Sequence, residues 1–258
     1  MSPERSLAVT SEPACDLAAM VDATPLVAAP FDHVYFDAAF PPAFYRELME
    51  RLPAIERYRE LRHRQAMQAD GHSARRVFYL YPEQIRRLPP EQRAFWLPLS
   101  RTLRSPALQD AFKRKFRAAL ERRFQRSIDD LTFYPVPLLL RDLGGYHIGI
   151  HGDSLGKAIT VQFYLPRDAS QKHLGTIFHE GRDGAAAARI TPLAFLPATG
   201  YAFPVLYHET WHSVARTSPA DGERNSLMLT YYVQSGVTGP LFQRLKRLWN
   251  GLVWGVRR

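Results

Sequence analysis

The sequence predicts an α+β fold, mainly β: a jelly roll buttressed by N-terminal helices. Two observations carry this prediction. Helical periodicity marks the first half of the chain, and from Leu131 to Gln234 it gives way to short aromatic and β-branched runs separated by Gly, Pro and Asp. Twenty prolines against fifteen glycines point the same way, because they suit many turns and short strands better than a helical bundle. No internal repeat or low-complexity segment interrupts the pattern. Helices first and strands second, on 258 residues, read as one domain over 29–239, with a helical part at 29–130 and a jelly-roll core at 131–239.

Taken in order, residues 1–28 lack a clear period and read as a loose leader; Glu4 and the missing apolar stretch argue against a secretory signal. From Pro41, Phe44, Leu48, Met49 and Leu52 recur at spacings of three and four, a helix that ends before Pro53. Residues 57–76, rich in Arg, His and Gln, read as an exposed loop or a flap over a site. Helical patterns return at 90–104 and 106–126. The second carries Lys113, Arg114, Lys115, Arg117, Arg122, Arg123 and Arg126, the composition of a solvated helix face. Strands are predicted at 146–151, 158–165, 176–179, 190–196, 199–207 and 224–234. In the tail, 240–258, Leu241, Leu245, Leu248, Trp249, Leu252, Val253 and Val256 share one helical face, with five basic residues and no acid. Such a segment suits the surface of an anionic membrane, with docking onto the domain as the alternative.

The net charge of +9 fits an anionic substrate, a membrane surface or nucleic acid, and does not choose among them. Nucleic acid is disfavoured, since no recognisable binding motif accompanies the basic helix. Cys15 is the only cysteine, which excludes an internal disulfide and a multi-thiolate zinc site and suits a reducing cytosol. No run of about 18 uncharged apolar residues predicts a spanning helix. The expected location is therefore cytoplasmic, with peripheral contact at the inner membrane face through the tail.

The chemistry gathers in the second half. In Gly-Gly-Tyr-His-Ile-Gly-Ile-His151-Gly-Asp153-Ser, an imidazole and a carboxylate stand two residues apart. On a strand such residues face the same way about 6.6 Å apart and can converge on one metal ion. Alone the pair means little, because nine histidines among about 10% acidic residues give roughly one such pair by chance. His212, in Thr-Trp-His-Ser-Val, supplies a second imidazole from another strand-like stretch. Two His and one carboxylate make the facial triad of non-haem Fe(II) oxygenases, which leaves three metal positions open, two for a 2-oxo acid and one for O₂. Beyond it, in Gly222-Glu-Arg-Asn-Ser-Leu, Arg224 and Ser226 fall on one strand face. A planar guanidinium is the preferred partner of a carboxylate, so Arg224 can anchor the far end of such a cosubstrate, with Ser226 adding a hydroxyl.

The ordered set H-G-D, A-I-T-V-Q-F-Y-L-P, W-H-S-V and G-E-R-N-S-L resembles the 2-oxoglutarate/Fe(II) dioxygenases, in particular their prolyl-4-hydroxylase-like branch, over residues 131–235. The resemblance implies a double-stranded β-helix, with His151, Asp153 and His212 as iron ligands, Arg224 as partner of 2-oxoglutarate, and the Tyr164 hydroxyl at the same carboxylate. It implies O₂ as cosubstrate, release of succinate and CO₂, and hydroxylation of an unactivated C–H, because Asp153 is retained where the family's halogenases have vacated the ligand position. Arg141 stands about where relatives often carry an aromatic. The substrate expected from the Arg- and His-rich 57–76 stretch is polar: an anionic small molecule, or a saccharide, if the tail meets a membrane a lipid-linked one.

Two rival readings use the same residues. His208-Glu-Thr-Trp-His212 satisfies the H-E-x-x-H signature of zinc hydrolases, which requires a helix; in an extended chain these histidines lie about 13 Å apart and cannot share a metal. The other is an inert jelly-roll binding protein, which would have lost a metal or guanidinium position, whereas this chain retains them all.

Overall fold

The computed structural model describes residues 15–62, 66–181 and 190–234. The membrane-contact segment expected at 240–258 lies outside them, as do residues 1–14 of the leader. Two antiparallel sheets face each other as a jelly roll, with helices covering the outer side of the larger one.

The helices form where the sequence places an apolar stripe behind a proline or a cap. In α1 (Leu17–Ala23) the Asp16 carboxylate accepts the amide of Ala19, and Leu17 and Val21 are buried, so this part of the expected leader is packed into the core. Proline opens α2 (Pro42–Glu50), the single turn α3 (Pro82–Ile85), α4 (Pro90–Leu103) and α5 (Pro106–Lys115), a position where its missing N–H costs nothing. The helical pattern at 106–126 divides at Phe116 into α5 and α6 (Arg117–Phe124), which ends on left-handed Gln125. The basic face of α5 and α6 is largely solvated, with Arg114, Arg117, Arg122 and Arg126 exposed, yet several of its side chains also hold the protein. Arg114 pairs with Asp22, Arg122 with Glu209, and Arg123 donates to the carbonyls of Leu155, Lys157 and Val205. Among the described residues no helix is long and apolar enough to cross a membrane.

The larger sheet runs β1 (Val34–Phe36), β9 (Gly200–Pro204), β6 (Lys157–Tyr164), β11 (Arg224–Val233), β4 (Phe133–Asp142), β3 (Arg75–Tyr79) and β2 (Arg59–Glu60). The smaller runs β5 (Ile148–His151), β10 (Trp211–Val214), β7 (Thr176–His179) and β8 (Ile190–Pro192). Pro135 and Pro137 do not break β4. Its pairing with β3 stops at Leu138, so the missing N–H groups fall where no ladder partner is required.

Alternation along these strands sorts the residues. Val161, Phe163, Leu227, Leu229 and Tyr231 face the helices and pack with Trp96, Phe112 and Leu120. Burying each such side chain contributes about 1.5–3 kcal/mol. The opposite face of the same strands carries Thr160, Gln162, Tyr164, Arg224 and Ser226 and looks toward the smaller sheet.

Candidate metal centre

The smaller sheet creates the centre through register. His212 of β10 stands directly opposite His151 of β5, so two imidazoles from distant parts of the sequence become cross-strand neighbours with ring centroids 4.2 Å apart. Asp153 follows just beyond the end of β5. One ligand-capable atom from each of His151, Asp153 and His212 lies within 4.8 Å of the others.

Each imidazole is held the same way. The ring Nδ1 lies 3.0 Å from the Gly149 carbonyl in His151 and 3.1 Å from the Thr210 carbonyl in His212. A carbonyl only accepts, so Nδ1 carries the proton and Nε2 keeps its lone pair for a metal. Burial lowers the pKa of both; His212, further lowered by the neighbouring His151 against the pull of Asp153, falls to about 4. Both imidazoles are therefore neutral, as metal ligation requires. Asp153 accepts Lys157 Nζ at 2.5 Å on Oδ1 and Thr160 Oγ1 at 2.6 Å on Oδ2. Burial opposes its charge, but Lys157, His212 and these hydrogen bonds outweigh burial and hold the carboxyl well below its ordinary range. The donor set is thus two imidazole nitrogens and one ionised carboxylate, with His212 buried and His151 and Asp153 half-buried, which fits a divalent iron.

Deeper between the sheets, Tyr164, Ser226 and Arg224 share the inner face of the larger sheet, and all are fully buried. The Tyr164 hydroxyl accepts the Thr176 amide at 2.9 Å. Thr176 lies opposite Val214, two residues and roughly 7 Å along β10 from His212, a span that suits an extended five-carbon dicarboxylic acid. Ser226 Oγ accepts Gln162 Nε2, while Tyr201 donates to Gln162 Oε1 and accepts Thr176 Oγ1. Gly175 makes the approach of β7 feasible: a Cβ there would come within 1.6 Å of the Leu193 carbonyl oxygen. Arg224 donates through Nε to the Leu174 carbonyl and through Nη1 to Asp142, its guanidinium 4.7 Å from the Phe195 ring centre.

One expectation is corrected, one rival reading is excluded and one residue is placed. Residues 57–76 are not simply an exposed loop. They include β2 and the start of β3, and Arg75 is largely buried against Asp142; residues 63–65 lie outside the description. The H-E-x-x-H signature does not fall on a helix, since His208 sits exposed in a turn at φ 59° and only His212 joins the metal-capable group. Arg141 points to the helix side, over Tyr58, so it takes no part in the inner face. A separate cleft of about 930 Å³, lined by Tyr45, Arg46, Arg141, Arg167 and Glu223, opens on that side.

Sequence reasoning missed Lys157, Thr160, Gln162, Arg75, Asp142 and Tyr146. For Thr160 and Gln162 a signal existed: in Ala-Ile-Thr-Val-Gln-Phe-Tyr the polar residues alternate with apolar ones and share the face of Tyr164. Arg75 and Asp142 meet only through strand pairing across 67 residues.

No protein-family model matches the sequence, and neither does any curated protein. Solved structures do resemble it. A prolyl-4-hydroxylase from Pseudomonas putida aligns with a TM-score of 0.51 at 16% identity, over 84% of this chain and 98% of that one. The non-heme alpha-ketoglutarate-dependent epimerase SnoN from nogalamycin biosynthesis aligns with a TM-score of 0.50 at 13% identity, over 85% and 82%. The chain thus shares the double-stranded β-helix fold of these structures.

Proposed function

We propose that the protein is an Fe(II)- and 2-oxoglutarate-dependent dioxygenase that hydroxylates an unactivated C–H, releasing succinate and CO₂. The observation that carries this reading is the convergence of His151, Asp153 and His212, with one ligand-capable atom of each within 4.8 Å of the others and both imidazole Nδ1 atoms tied to carbonyls. The shared fold supports it, because the SnoN structure is described as alpha-ketoglutarate-dependent.

In this reading His151, Asp153 and His212 hold the iron, which supplies the activation of O₂. The chain's own groups do the rest. The Gly149 and Thr210 carbonyls fix the two imidazoles, and Thr160 fixes the carboxylate. Arg224 receives the far carboxylate of the cosubstrate, with the Tyr164 and Ser226 hydroxyls as additional donors. Phe203, packed 5.1 Å from His212, and Tyr201 close the interior against water.

The substrate in this proposal is a polar small molecule or saccharide, anionic or lipid-linked. Arg59 lies 4.4 Å over the Tyr79 ring on the inner face of the larger sheet, a cationic and aromatic pair suited to a polar or anionic substrate. Peripheral contact with an anionic membrane through 240–258 is part of the same proposal, and its test is co-sedimentation of full-length and tail-deleted protein with anionic liposomes.

The test of the reaction is anaerobic titration of the protein with Fe(II) and 2-oxoglutarate, followed by O₂ and measurement of succinate. Wild type should develop a weak visible charge-transfer band and release succinate; His212→Ala should do neither. Absence of the band in the wild type would refute the assignment and leave an inert binding protein.

A further inference from the structure

Arg224 does not stand alone. Strand register places Arg75, Asp142 and Arg224 side by side on β3, β4 and β11, one cross-strand row on the inner face. Asp142 is fully buried between the two guanidiniums. Arg75 grips it as a fork, Nε to Oδ1 at 2.7 Å and Nη2 to Oδ2 at 3.0 Å, while Arg224 Nη1 reaches Oδ2 at 2.9 Å. Two cations and one anion leave the row with one net positive charge, buried. Uncompensated buried charge is costly, so a row of this kind calls for an anion.

Two orphaned donors show where that anion would sit. Arg224 Nη2 and the Tyr146 hydroxyl are both buried and have no hydrogen-bond partner among the described residues. The Tyr146 ring is covered by the Arg75 guanidinium at 4.1 Å, and its hydroxyl lies within electrostatic reach of Arg75, Asp142 and Arg224. Buried polar groups in folded proteins are almost always satisfied, and here two unsatisfied ones border a positively charged row.

We propose that Tyr146 is a direct ligand of the cosubstrate's distal carboxylate beside Arg224 Nη2, and that Arg75 is a positioning residue that holds Asp142 and keeps the row cationic. This rests on the function proposed above and adds to it. Without Arg75, Asp142 would cancel the charge of Arg224, and the carboxylate would meet a neutral row. The anchor therefore selects a dicarboxylic 2-oxo acid over a monocarboxylic one.

The test uses the full-length protein loaded anaerobically with Mn(II), with calorimetric titration of 2-oxoglutarate and of pyruvate, which has no distal carboxylate. Arg75→Gln should weaken 2-oxoglutarate at least tenfold and Tyr146→Phe about tenfold, the range for one hydrogen bond to a charged group. Pyruvate and Mn(II) affinities should change less than about twofold, and Arg75→Lys should recover part of the loss, because it restores charge without the fork. Tyr146→Phe removes only an unpartnered hydroxyl, so it remains informative even if Arg75→Gln does not fold. If both variants bind 2-oxoglutarate like the wild type, or lose pyruvate to the same extent, the inference is overturned. If wild type takes up Mn(II) but no 2-oxoglutarate, the proposed function fails, and this inference with it.

Discussion

Acidification of the metal-free protein should destabilise it through His212. In the unfolded chain this imidazole titrates near its ordinary value of 6.5; folded, burial and His151 lower it to about 4. A lowered folded pKa means that the unfolded state binds the proton first. The stabilising contribution is complete above about pH 6.5 and drains away as pH falls toward 4. At ~1.4 kcal/mol per pH unit, the interval corresponds to about 3 kcal/mol. The perturbation is His212→Gln, which removes the titrating group. Urea unfolding of wild type and variant in chelator, from pH 7.5 to pH 4, reads the difference. The two stabilities should converge by about 3 kcal/mol on acidification. Parallel curves would show that His212 is not held neutral by its surroundings, and the argument that it is ready to ligate a metal would fail.

Further outcomes follow from neighbouring contacts. Lys157→Met leaves the buried Asp153 carboxylate without its ammonium, so the metal-free protein should melt lower while Mn(II) binds about tenfold or more tightly, both readable by thermal shift; looser Mn(II) binding would refute the competition. Gly175→Ala must push β7 away from the Leu193 carbonyl and should cost about 1–3 kcal/mol in chemical denaturation. It should also weaken 2-oxoglutarate binding, since the neighbouring Thr176 amide holds the Tyr164 hydroxyl. Arg123→Ala strips three backbone carbonyls of their donor and should cost about 2 kcal/mol, without altering retention on heparin, because that residue of the basic helix faces the protein.

What could be read in the sequence divides by range. The helix opened at Pro42, the helices behind Pro90 and Pro106, and strands such as Thr176–His179 announce themselves through local caps, prolines and alternation. His151 and Asp153 were readable as a local pair, and Arg224 and Ser226 as one face of a strand. Hidden were features made by pairing alone. β3 escaped notice because Arg75 and Arg76 lend it the polarity of a loop, although Val77, Phe78 and Tyr79 continue it. β4 escaped because Pro135 and Pro137 argue against a central strand, and only the short reach of β3 makes them tolerable. The histidine signature at 208–212 is rightly set aside, because its meaning depends on a helix, and a turn followed by a strand occupies the place.

The Arg75–Asp142 pairing also bears on how the protein can be recombined. A chimera that transplants 131–239 onto foreign helices would carry all three metal-capable side chains, yet leave Asp142 facing Arg224 without its counterweight. Iron uptake and cosubstrate retention would then come apart, the first inherited with the C-terminal half and the second requiring both halves from one parent.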